Sequence, residues 1–190
     1  MLRSREEPPC LQEKGERCMR YFFISQDLSL SWKFRFQDSD SREEELAAGE
    51  DGGQVKTRAL LYLCREGHGA RPDFAQDPAY LFSGRLKGIL QAYEPELALR
   101  DVTLMEERDA SRPSYLQVFL EPVDAVSRQA GSSGEQAGEH LILSEEKARG
   151  HHLFLLESRF GRHLAVSLPL AESLLRRKVT GICFQEAEVE

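Results

Sequence analysis

Residues 152–178 read HLFLLESRFGRHLAVSLPLAESLLRRK, and this stretch decides the fold class. His152–Glu157 is almost continuously apolar and reads as a strand. Ser158-Arg159-Phe160-Gly161 then turns the chain into Arg162–Leu168, where Leu164, Val166 and Leu168 alternate with His163, Ala165 and Ser167. The pair is a β-hairpin, with Gly161 available for positive φ. Pro169 opens a short helix with Leu170, Leu174 and Leu175 on one face. Arg176, Arg177 and Lys178 close it, at the end where cations favour the helix dipole.

Further strands lie outward from this hairpin. Val179–Phe184 follows it, and the acidic end QEAEVE, residues 185–190, is expected to fray. Upstream, Leu141–Leu143, Tyr115–Glu121, Leu99–Glu106 and Val55–Cys64 read as strands, with Pro122 stopping the second of these. Between them, Asp77-Pro78 is a helix start. Leu81, Phe82, Leu86, Ile89, Leu90 and Tyr93 continue it as an apolar stripe to Glu94-Pro95. Near the N-terminus, Leu28, Leu30, Trp32, Phe34 and Phe36 alternate with polar residues. Tyr21–Ile24 precedes them, so a hairpin turning at Gln26-Asp27 is expected.

The resulting fold class is α+β: a predominantly antiparallel sheet with two helices, at about residues 78–93 and 169–178. One globular domain spans residues 19–184, after a polar N-terminal tail, 1–18, and before the acidic tail. Two loops interrupt it. One is 37–53, where seven acids meet one base between Asp38 and Gly52, and the other is the Gly/Ser stretch 127–139.

Charge narrows the function. With 25 bases against 32 acids the net is −7, which argues against nucleic-acid binding by the surface as a whole. Residues 141–180 run the other way, at net +3. The four cysteines form no C-x-x-C, no apolar leader follows Met1, and no run reaches a membrane span's roughly 20 residues. A reducing compartment, cytoplasmic and/or nuclear, is therefore expected, with no membrane contact.

Local catalytic signatures are missing. The chain has no phosphate loop, no H-E-x-x-H and no G-x-S-x-G. His151 and His152 are neighbours on a strand and point to opposite faces, so at most one can join His163 in a metal site. Cys64 has His68 nearby but ends an apolar strand, which suits a structural thiol better than a nucleophile. Gly84 and Gly88, four apart in the central helix, read as close packing of backbone on a sheet. No metal or other cofactor is called for.

Three functional readings follow in order. The first is a non-catalytic protein-binding module, an adaptor or subunit of an intracellular complex. Its candidate surface is Trp32, Phe34 and Phe36 on a strand that could accept a partner strand, with Arg159, Phe160, Arg162, Arg176, Arg177 and Lys178. The second is nucleic-acid contact through the basic hairpin and helix end. The third is an enzyme with dispersed catalytic residues.

Overall fold

The computed structural model describes residues 19–30, 58–62, 71–77, 79–105, 112–130, 140–159 and 161–190. The tail 1–18, the acidic loop 37–53, Cys64, His68, Trp32, Phe34, Phe36 and Phe160 lie outside them, as do residues 131–139 of the second loop.

Among the described residues, twelve strands form three sheets. The central one has four strands: β1 (Tyr21–Gln26), β9 (Leu153–Ser158), β10 (Gly161–Ser167) and β11 (Ile182–Glu186), in the order β11-β1-β10-β9. A five-stranded sheet runs β2-β5-β6-β4-β3, from β2 (Arg58–Tyr62), β3 (Phe74–Ala75), β4 (Leu81–Ser83), β5 (Ala98–Met105) and β6 (Ser114–Phe119). The third sheet is β12-β8-β7, from β7 (Val126–Ala130), β8 (His140–Leu143) and β12 (Glu188–Val189). Among the described strands, β2 with β5 and β12 with β8 pair in parallel and the others antiparallel, so the expected predominantly antiparallel α+β class holds. The helices are α1 (Lys87–Tyr93), entered through a 3-10 turn at Gly84–Leu86, α2 (Glu145–Ala148) and α3 (Leu168–Arg176).

Apolar clusters cover both faces of the central sheet. On one face Ile24, Leu153, Leu164 and Val166 pack with Phe74 and Phe82, with Leu86 and Leu90 of the α1 region, with Leu116 and Val118, and with Leu170 and Leu174 of α3. On the other, Tyr21, Phe154, Leu156 and Ala165 pack with Ala125, Leu143, Ala148 and Ala187. Burial on both sides explains the unbroken run Leu153–Leu156: no residue there faces water. Tyr21 crosses its cluster edge-on to Phe154 and donates its hydroxyl to Ala148 O at 2.8 Å.

Several expectations need correction. β1 lies inside the sheet, paired with β10 on one side and β11 on the other. Both of its hydrogen-bonding edges are taken, and residues 28–30 form a turn rather than the start of a returning strand; residues 31–36 of the expected partner strand lie outside the described residues. The helix expected from residue 78 begins only at Gly84, because Leu81–Ser83 is held between β3 and β6. An i, i+1 pair such as Leu81-Phe82 suits a doubly buried strand as well as a helical stripe, and Phe82 meets the Phe74 ring at 4.9 Å. Residues 127–130 of the expected Gly/Ser loop belong to β7. The C-terminal end is paired rather than frayed. Ala187 N–H donates to Tyr21 O at 2.9 Å, β12 pairs with β8, and Glu190 N–H donates to Leu143 O at 2.9 Å. Of the two helical glycines, a Cβ on Gly84 would meet Ser114 O at 2.9 Å, whereas Gly88 faces open space.

Candidate functional site

The central sheet's register brings distant basic residues to one end. β10 and β11 both run antiparallel to β1, with Ile24 opposite Leu164 and Phe184. Gly161, Ile182 and the end of β1 therefore share one end of the sheet. α3 follows β10 directly and the chain must return to start β11, so the end of α3 comes back to that same end. The β9–β10 turn contributes Arg159 and Arg162, and α3 contributes Arg176, Arg177 and Lys178, all five exposed.

Local chemistry fixes each part. Ser158 and Gly161 close the hairpin, Gly161 takes φ +119°, and Ser158 Oγ donates to Gly161 O at 3.1 Å. At α3, Arg177 N–H reaches Leu174 O and Lys178 N–H reaches Leu175 O, with Lys178 at φ +51°. Lys178 thus occupies the left-handed position that glycine usually fills after a helix. At the end of β1, the Asp27 carboxylate accepts Ser29 N–H at 2.9 Å and Ser29 Oγ–H at 2.6 Å. These two bonds, the hydroxyl's first, hold the Asp27 carboxyl below its usual value. The turn carries Leu28 at its tip, 85% exposed, while Leu175 on α3 is 57% exposed. Asp27 N–H donates to Gly181 O at 3.0 Å and ties this turn to the chain that follows α3.

Arg85 steadies the helix end from beneath. Its Nη1 donates to Arg177 O at 3.0 Å and its Nη2 to Lys178 O at 3.4 Å. Its Nε and Nη2 hold Asp73. Burial pushes the Asp73 carboxyl up, but the hydrogen bonds from Arg85 and Thr180 and the Arg85 charge outweigh it, so the group sits below its ordinary value. The surface ion pairs Arg176–Glu172 at 3.0 Å and Arg162–Glu157 at 3.5 Å are exposed. Such pairs are worth about 0–1 kcal/mol, so these cations can exchange partners at little cost.

The catalytic candidates are held in other ways. His152 Nδ1 meets Ser167 Oγ at 2.7 Å, yet Ser167 is fully buried at the strand-to-helix junction, so the contact fixes that junction. His163 Nε2 meets Ser158 Oγ at 3.2 Å. A concavity of about 310 Å³ opens beside it, lined by Phe23, Ser25, Leu141, Arg162 and Gln185 among others. Among the described residues, no three of His, Cys, Asp and Glu gather as a metal site, and no helix is long and apolar enough to cross a membrane.

Sequence reasoning picked out all five described cations but missed Leu28 and Leu175 as exposed neighbours, and missed Asp73 and Arg85 altogether. Trp32, Phe34, Phe36 and Phe160 fall outside the described residues.

Comparison with the curated proteins finds no match. A family model described as an immunity protein family, Imm11, matches residues 13–189, nearly the whole chain. The chain therefore belongs to the Imm11 family of immunity proteins.

Proposed function

We propose that the chain protects a cell by binding a toxin protein and holding it inactive, without chemistry of its own. The observation that carries this reading is the gathering of five exposed cations and two exposed leucines at one end of the central sheet. Basic residues around apolar anchors are an interface composition. Covering a leucine fully stabilises a complex by about 1.5–3 kcal/mol, and rim cations add encounter rate and choice of partner. The patch fits an acidic surface on the toxin. A chain of net −7 also stays clear of nucleic acid except where this patch meets it. The complex forms inside the cell, in the reducing setting that suits a chain without C-x-x-C.

The test pairs protection with binding. Cells expressing the toxin are rescued by the wild-type chain, which co-purifies with the toxin after nuclease treatment. Reversing Arg176, Arg177 and Lys178 to Glu together weakens that binding at least tenfold and lowers rescue. A folded triple variant that rescues and binds as well as wild type overturns the assignment of this end. Loss of the partner on nuclease treatment favours nucleic acid instead.

A further inference from the structure

The two edges of the central sheet differ. Along β9, Val123 N–H donates to Leu155 O at 2.7 Å and Pro122 bridges the same residue, so that edge is covered. Along β11 itself, Ile182–Glu186, no strand lies outside among the described residues. Just before it, at Thr180, the outward C=O accepts Asp73 N–H at 2.8 Å and the outward N–H donates to the Asp73 carboxylate at 2.9 Å, so the edge is covered there. Register decides which of its groups face out. Ala187 N–H donates to Tyr21 O, and Asp27 N–H donates to Gly181 O. Residues 181, 183, 185 and 187 therefore face β1, and the backbone N–H and C=O of Ile182, Phe184 and Glu186 face away from it. The side chains of Ile182 and Phe184 pack on the apolar cluster, so the strand is anchored while, among the described residues, no strand pairs with its outer edge. The edge is graded in charge. Arg176, Arg177 and Lys178 precede it, and Glu186 and Glu188 end it.

We infer that β11 is the docking edge for the toxin, which adds one strand antiparallel to it. This inference rests on the toxin-binding reading above. The incoming segment is extended. It carries apolar side chains opposite Ile182 and Phe184 and polar ones opposite Cys183 and Gln185. Asp73 stops the added strand at Ile182, and acidic residues follow its C-terminal end where the segment turns off toward Arg177 and Lys178. Backbone bonds to Ile182, Phe184 and Glu186 supply affinity, and the charge gradient sets the direction. Only the Asp73–Thr180 junction separates the open stretch from the cationic end of the sheet, so one partner reaches both.

The probe is the purified toxin whose growth inhibition the chain relieves. Two substitutions separate backbone from side chain. Glu186→Ala removes the ion pair with Arg20 and keeps the outward N–H. Glu186→Pro removes both and spares the ladder to β1. Glu186→Pro is expected to bind at least tenfold more weakly than Glu186→Ala. In the wild-type complex, residue-resolved amide exchange slows at least tenfold at Ile182, Phe184 and Glu186, a readout that does not depend on the proline variant folding. Toxin bound with these three amides still exchanging freely overturns strand addition and leaves the binding reading standing. Slowing that appears with chain concentration alone, without toxin, assigns the edge to a second copy and also overturns it. A chain that binds no toxin overturns the parent reading and this inference together.

Discussion

Asp73 and Arg85 face each other as a two-armed ion pair, Nε to Oδ1 at 2.7 Å and Nη2 to Oδ2 at 2.6 Å. The same carboxylate accepts Thr180 N–H at 2.9 Å, and Asp73 N–H donates to Thr180 O at 2.8 Å. Ser83 N–H completes the set by donating to Asp73 O at 2.7 Å. One buried residue, 6% exposed, thus joins β3, β4, the turn into α1 and the chain that leads into β11. The cationic end of the sheet is positioned through this junction.

Removing the carboxylate leaves the Arg85 fork and Thr180 N–H without their acceptor, though water reaches both donors. Asp73→Ala should lower unfolding stability by about 2 kcal/mol, since hydrogen bonds to a charged group are worth about 1.5–3 kcal/mol. Arg85 is half exposed, so Arg85→Lys, which keeps the charge and loses the fork, should cost only about 1 kcal/mol. Urea titrations of both variants check the order. Equal losses would mean that the Arg85 fork, rather than the Asp73 junction, holds the structure.

The depressed Asp73 carboxyl also predicts the acid limb of stability. A group held below its unfolded value, roughly 3.9 for Asp, stabilises the fold fully above that pH and loses its contribution as pH falls through the folded value. Asp73→Asn should therefore differ from wild type by a constant amount above about pH 5, with the gap narrowing below about pH 4. Parallel stability curves down to pH 3 would contradict this.

The strands and the final helix were legible because their signals are local. Period-two alternation marked β5, β6 and β10, and Pro169 with the leucine stripe marked α3. Three things were not legible. Leu81-Phe82 satisfies a helical stripe and a buried strand equally, and only pairing with β3 and β6 decides between them. Asp73 finds Thr180 across 107 positions, a distance no pattern spans. The neighbours of β1 come from residues 161–167 and 182–186, more than 130 positions away, and no local pattern around β1 points to them. The cations of the candidate site could be read one by one. Their meeting at one end depends on the strand order.

Two glycines should respond in opposite ways to alanine. Gly181 has φ +80°, and a Cβ there would stand 2.5 Å from Pro72 Cβ and 3.2 Å from its Cα. Gly181→Ala therefore adds a steric clash to a conformation that alone costs about 1–3 kcal/mol, and it should destabilise by more than 2 kcal/mol or so. Gly88 lies within α1 facing open space, so Gly88→Ala should stabilise by about 0.5–1 kcal/mol. Thermal melts suffice, and a shift of the same sign for both would contradict the difference in their surroundings.

Leu28 and Leu175 test the interface without disturbing the core. Both are exposed, and Leu28 sits on a turn held by Asp27 rather than by its own side chain. Leu28→Asp and Leu175→Asp should each leave stability within about 0.5 kcal/mol, as surface changes usually do. Against an acidic toxin surface each adds a like charge and removes an apolar anchor, so toxin affinity should fall about tenfold or more, or about 1.4 kcal/mol. The salt response separates the two causes. Asp variants weaken partly through repulsion, which 0.5 M salt relieves, whereas Leu28→Ala weakens only by lost contact and should be nearly salt-independent. Titration calorimetry at low and high salt reads both. Unchanged affinity in Leu28→Asp and Leu175→Asp would move the toxin-binding face away from this end of the sheet.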